Sequence, residues 1–197
     1  MLRPDLALVV DLIPSRSRVL DLGCGEGDLL SFLMTHKNCT GTGVDTDHES
    51  IVTAVRRGVS VIELDLNSQL DQFADNSYDT VVLSRTLQAV RRPGDLLPAI
   101  GRIADRCIVS VPNFGLWKSR LSVLGGHMPI SKDLPFEWYD SPNVRYTTLA
   151  DLERFFDSVG FDIEQRIPLT ERGDRLHTRW PNLRAGAAMY VLRPQLA

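Results

Sequence analysis

Apolar residues recur at Leu2, Leu6, Val9, Val10 and Ile13. These offsets lie on one face of a helix, and Pro14 ends it. Short apolar runs with β-type composition follow at 18–22, 42–45, 59–64, 80–83 and 107–111. Helical patterns separate most of them, at 29–34, 49–57 and 96–104. Gly58 closes the second of these helices, and Asp95 is the expected cap of the third. The turn-like Asp75-Asn76-Ser77 leads into the fourth strand, and Pro112 stops the fifth. After a break, a helix is expected over 149–159, capped by Thr147 or Thr148 and closed by Gly160. Strands at 161–167 and 187–192 complete the chain, with no helix expected between them. Strands that are near-continuous apolar runs and alternate with helices predict an α/β fold, a mostly parallel sheet covered on both faces. The two last strands predict an antiparallel hairpin at one sheet edge.

The rhythm breaks at about 112–148. Phe114, Trp117, Phe136, Trp138, Tyr139 and Tyr146 concentrate 6 of the chain's 14 aromatic residues there. So long a segment without periodicity is expected to be functional. Its aromatic cluster fits a lid over a small substrate, a set of anchors for a protein partner, or a satellite core under a loop. Arg172, Arg175, Arg179, Trp180 and Arg184, near the last hairpin, read as a second contact surface or as a solvated loop.

Composition narrows the class. At 197 residues the chain is expected to form one domain carrying that insertion. Charged residues make up 24%, which excludes a disordered or fibrous chain. With 22 basic and 25 acidic residues there is no footprint for nucleic acid. The apolar stretch 6–10 stops far short of the roughly 20 residues a bilayer needs. The first residues lack a signal-peptide pattern, so a cytoplasmic protein away from membranes is expected. Cys24, Cys39 and Cys107 show no CxxC spacing and read as free thiols, and no metal-ligand spacing occurs.

The chemistry concentrates in Val19-Leu20-Asp21-Leu22-Gly23-Cys24-Gly25-Glu26-Gly27. A buried strand enters a glycine-rich turn and then a helix, so backbone N–H groups and space for a ligand coincide. The spacing is G-x-G-x-G, and Asp28 stands where a dinucleotide site needs a third glycine. Asp21 at the strand end would repel a pyrophosphate but can pair with a cationic amino-acid group. Both features argue against a nicotinamide-dependent oxidoreductase. Asp45 ends the second strand 20 residues after Gly25, where a carboxylate can accept from ribose hydroxyls. Cys24, near a helix start, reads either as a reactive thiol or as a small residue tolerated in a tight turn.

Together these residues resemble the class I S-adenosylmethionine-dependent methyltransferases, a Rossmann-like fold of seven strands. The resemblance narrows through Arg3-Pro4-Asp5-Leu6, Leu83-Ser84-Arg85-Thr86-Leu87-Gln88-Ala89, Val111-Pro112-Asn113-Phe114-Gly115 and Leu134-Pro135-Phe136-Glu137-Trp138-Tyr139-Asp140-Ser141-Pro142-Asn143. These match the MetW family of methionine biosynthesis proteins over nearly the whole chain. Arg85 and Leu116 depart from the Gln and His expected there. The resemblance implies that S-adenosylmethionine or S-adenosylhomocysteine is held by Asp21, Gly23, Cys24, Gly25, Gly27, Asp45, Thr46, Asp65, Leu66 and Ser84. It also implies a protein partner, homoserine O-acyltransferase, whose activity the chain supports. The competing expectation is a methyltransferase acting on a small molecule.

No catalytic residue is assigned. Among His36, His48, His127 and His177, only His127 lies in the insertion. Glu137 and Asp140 sit between aromatics and are candidates for acid–base or amine-binding work, or for local pairing. No Asn-Pro-Pro-Tyr motif follows strand four, which disfavours adenine-N6 or amide methylation. No Gly-x-Ser-x-Gly elbow occurs, so the chain is not itself the acyltransferase.

Overall fold

The computed structural model describes residues 2–67, 70–130 and 137–195. Seven strands form one sheet: β1 (Arg18–Leu22), β2 (Thr40–Asp45), β3 (Ser60–Glu63), β4 (Thr80–Ser84), β5 (Cys107–Pro112), β6 (Phe161–Leu169) and β7 (Ala187–Pro194). Their order is β3-β2-β1-β4-β5-β7-β6. The pairs from β3 through β5 are parallel, and β7 runs antiparallel to both β5 and β6. The predicted terminal hairpin is therefore present, and β6 is the edge strand. A register shift between Ile163 and Gln165 interrupts its pairing.

The helices are α1 (Pro4–Leu12), α2 (Asp28–Lys37), α3 (His48–Arg56), α4 (Pro93–Ile103), α5 (Trp117–Leu124), α6 (Leu149–Ser158) and the single turn α7 (Pro181–Arg184). Alternation along the strands divides the core between two faces. Leu20, Leu22, Val81, Leu83 and Val109 pack with α4 and α6. Val19, Val82 and Ile108 pack with α1 and α2. Both faces of the central strands are dry, as a parallel sheet requires.

Three local expectations change. Asp95 does not cap α4. The helix starts earlier, at Pro93, where the missing N–H is tolerated, and Asp95 sits in its first turn. The segment after β5 is not wholly irregular, because it contains α5. α7 interrupts the connection between β6 and β7. Thr148 caps α6, accepting the Asp151 N–H at its hydroxyl.

The chain order reverses between β1 and β4, which are neighbours in the sheet. A crevice opens at the carboxyl ends of strands on either side of such a switch point. Asp21 near the end of β1, Asp45 at the end of β2 and Ser84 at the end of β4 all lie on this rim.

Candidate functional site

Two cavities meet at this rim. One, of about 250 Å³, is lined by Asp45, Thr46, Asp65, Leu66 and Asn67 among others. The other, of about 380 Å³, is lined by Arg3, Asp21, Cys24, Gly25 and Ser84 among others. They share Gly23, Arg85 and Thr86, so they form one elongated cleft. Nine of the ten sequence-predicted positions line it. Gly27 stands apart. It caps α2 at φ 75°, and a Cβ there would come within 2.9 Å of the Ala54 Cβ, so its role is close packing of α2 on α3.

The turn after β1 is held by strand β2. The Val44 carbonyl accepts the Gly23 and Cys24 N–H groups at 2.7 and 3.0 Å. The Asp45 carboxylate accepts the Gly25 N–H at 2.7 Å on Oδ2. Its Oδ1 accepts the N–H groups of Thr46 at 2.8 Å and Asp47 at 3.0 Å. A carboxylate offers about four acceptor positions, so capacity for a further donor is left. Gly23 has φ 80°, and a Cβ there would strike the Thr86 side chain. Gly25 has φ 52°, and a Cβ there would meet no atom within 4 Å, so the backbone faces open space.

Asp21 is 3% exposed, and its Oδ1 has no hydrogen-bond partner among the described residues. Burial, reinforced by the Asp45 charge, pushes its carboxyl up to about 7, and Arg3 opposes the shift. The Ser84 Oγ is likewise buried without a partner. The Cys24 thiol is pushed up to about 12 by burial and then by Asp21 and Asp45. Of the two readings of Cys24, the reactive thiolate is disfavoured, because burial and then the neighbouring carboxylates outweigh the helix start. Asp65, in contrast, is exposed and held low by hydrogen bonds from Asn67, whose N–H donates at 2.9 Å.

The sequence reasoning missed one cluster. Asp5 on α1 is buried at 2% exposure between two arginines of the cleft, Arg3 Nε at 3.4 Å and Arg85 Nε at 3.2 Å. Arg85 has φ 59°, rare outside glycine, and its N–H donates to the Ser110 hydroxyl at 3.0 Å. The motifs 3–6 and 83–89 contained these residues, but a salt bridge across about 80 positions has no periodic signal. His127, Glu137 and Asp140 are exposed and are not among the residues lining the cleft. Phe136 lies outside the described residues.

The family model for "Methionine biosynthesis protein MetW" matches residues 3–192. The chain belongs to the MetW family. A relative from Rhodopirellula baltica, the bifunctional methionine biosynthesis protein MetXA/MetW, is 32% identical over 200 residues, covering 95% of this chain. The chain spans about a third of the length of the curated relatives it matches, 32% and 38%. Among solved structures, an S-adenosylmethionine-dependent methyltransferase from Mesorhizobium loti superposes with a TM-score of 0.71 at 16% identity, over 96% of this chain and 97% of that one. The [4+2]-cyclase SpnF superposes at 0.70 and 16% identity, over 98% of this chain and 81% of that one. The fold is thus the Rossmann-like methyltransferase fold with its seven-stranded sheet, and a cyclase among its bearers shows that this fold does not dictate one chemistry. Among the described residues, no helix is long and apolar enough to cross a membrane, and no cluster of His, Cys, Asp and Glu could hold a metal ion.

Proposed function

We propose that the chain binds S-adenosylmethionine or S-adenosylhomocysteine in this cleft and serves as the activating partner of homoserine O-acyltransferase. The observation that carries the reading is the buried Asp21 carboxylate, whose Oδ1 has no hydrogen-bond partner among the described residues, beside the open face of Gly25. A lone buried carboxylate is costly unless a cation reaches it, and the α-ammonium of the ligand is such a cation. Arg3 and Arg85, beside it, suit the α-carboxylate. Asp45 has acceptor capacity for ribose hydroxyls, with Thr46 beside it, while Leu66 and Asp65 border the space suited to the adenine. When bound, S-adenosylmethionine supplies an electrophilic methyl on sulfur. The residues of the cleft bind and orient. Apart from Asp21, which this reading gives to the ammonium, no described residue of the cleft is assigned to move a proton.

That deficit supports the partner role over methyl transfer. The relative from Rhodopirellula baltica, which carries the MetXA and MetW names together, also supports it. One feature favours the alternative of a small-molecule methyltransferase. A mostly apolar cavity of about 290 Å³, lined by Leu87, Gln88, Tyr146 and Phe155, lies beyond the 87–89 turn from the cleft. Its charged neighbours are occupied, Asp151 by Thr148 and Arg154, and Arg145 by the Arg91 carbonyl. The test is homoserine acylation by the cognate acyltransferase, with and without the chain, across a titration of S-adenosylmethionine. A rise in rate supports the reading. No change, with S-adenosylhomocysteine forming from an added acceptor, supports the alternative.

A further inference from the structure

α5 is amphipathic the wrong way round. Trp117, Leu121 and Leu124 recur at the i, i+4, i+7 spacing of one helix face. That face is turned outward, with exposures of 47%, 57% and 82%, whereas the buried residue of the helix is Ser119. An outward apolar stripe on a helix marks an interaction site. Arg120, on the same helix, also lines an open groove of about 640 Å³. Across it stand Trp180 and Leu183 of the α7 region, at 66% and 38% exposure, together with Arg166 and Arg179. The fold thus joins the aromatic insertion and the arginine-rich loop, two surfaces far apart in sequence.

The groove carries unbalanced positive charge. Its acid, Glu153, is already engaged. Its Oε1 accepts from Arg166 at 2.9 Å and from the buried Tyr190 hydroxyl at 3.0 Å. Arg120 donates to the Gly115 carbonyl, and neither it nor Arg179 has an acidic partner among the described residues. Exposed tryptophan and arginine around an apolar stripe is the composition of interface hot spots.

We infer that the α5 stripe and the adjoining arginine–tryptophan groove form the surface that docks a protein segment combining apolar anchors with acidic side chains, and that the acyltransferase presents it. The occupant rests on the reading under Proposed function; the charge complementarity does not. The Rhodopirellula baltica relative supports the same occupant, since some two-thirds of that protein lies beyond the matched part.

The experiment measures binding of the full chain to the cognate acyltransferase by titration calorimetry, at low and at moderate salt. The variants are Leu124→Asp, Trp180→Ala and Arg179→Glu, with Val55→Asp on the distant α3 as control. Each variant is checked for a native circular-dichroism spectrum and unaltered binding of S-adenosylhomocysteine, so misfolded protein is recognised. The expected result is at least about tenfold weaker binding for the three variants and wild-type binding for Val55→Asp. Added salt should weaken the wild type more than Arg179→Glu. If the wild type binds and the variants bind equally well, the surface is wrong and the partner reading stands. If the wild type does not bind the acyltransferase, the partner reading falls and this occupant with it. If the wild type dimerises and Leu124→Asp is monomeric, the surface serves a second copy of the chain and the proposed occupant is overturned.

Discussion

The Asp45 carboxylate accepts the backbone N–H of Gly25 at 2.7 Å, tying the end of β2 to the turn after β1. This bond sets the shape of the turn before any ligand arrives. The same carboxylate has capacity left for a further donor, and on the proposed reading that donor is a ribose hydroxyl. Asp45→Ala should therefore loosen the turn and remove the ribose acceptor together. We expect the Kd for S-adenosylhomocysteine to rise at least about tenfold while far-UV circular dichroism stays native. Titration calorimetry checks this, and unchanged affinity would contradict it.

Gly23 and Gly25 should respond differently to the same substitution. Gly23→Ala places a Cβ within 2.8 Å of Thr86 Cγ2, and closer still to Oγ1, at a φ of +80°. It should destabilise the fold by about 2 kcal/mol, with partial recovery in the Gly23→Ala, Thr86→Ala double variant. Gly25→Ala meets no atom within 4 Å. Its stability loss should be about 1 kcal/mol or less, yet its methyl should intrude into the open space that the proposed ligand would occupy, and weaken S-adenosylhomocysteine binding. Thermal melts and calorimetry on both variants separate these outcomes.

Asp21 should make stability and binding depend on pH in opposite directions. Its carboxyl is pushed from 3.8 to about 7, chiefly by burial. Between those values the folded chain holds a proton that the unfolded chain has released, so the contribution to stability falls as pH rises through this window. Pairing with an ammonium requires the ionised form, so S-adenosylhomocysteine should bind more tightly as pH rises from about 6 to about 7.5. Asp21→Asn should flatten both dependences, raise the ligand-free Tm near pH 8 and weaken binding. Equal pH profiles for the variant and the wild type would refute the assignment.

Asn113 is the joint between the sheet and the groove. At 2% exposure its amide donates to the carbonyls of Ala185 at 2.8 Å and Asn182 at 3.1 Å, and its Oδ1 accepts the Gly115 N–H at 2.9 Å. Removing it strands three backbone groups, two of them in fully buried contacts. Asn113→Ala should lose about 2–3 kcal/mol, roughly 4–12 °C in Tm. Asn113→Asp sets a carboxylate against two carbonyls, so its loss of Tm relative to the wild type should be larger at pH 8 than at pH 5. Differential scanning fluorimetry at the two pH values checks both variants.

Much of the fold could be read locally. β-type runs of four to seven residues, broken by Gly and Pro, identified all seven strands, and glycine spacing with Asp21 and Asp45 pointed to the rim where the cleft lies. These signals survive in one dimension because strand burial and tight turns impose residue types at short range. α5 escaped for the converse reason. Its apolar residues face out and its buried Ser119 faces in, so the core-facing pattern was absent.

What the sequence determined alone was the order of the strands, the mostly parallel sheet and the glycine-rich turn after β1, because each follows from periodicity or from backbone freedom at a few positions. Tertiary structure decided everything carried by distant partners. It set Asp5 between Arg3 and Arg85 and withdrew Gly27 from the cleft. It set the half-buried Cys24 thiol beside two carboxylates and brought Arg120 to the same groove as Arg179 and Trp180. Charge and burial act through space, and the chain brings those residues close only when it folds.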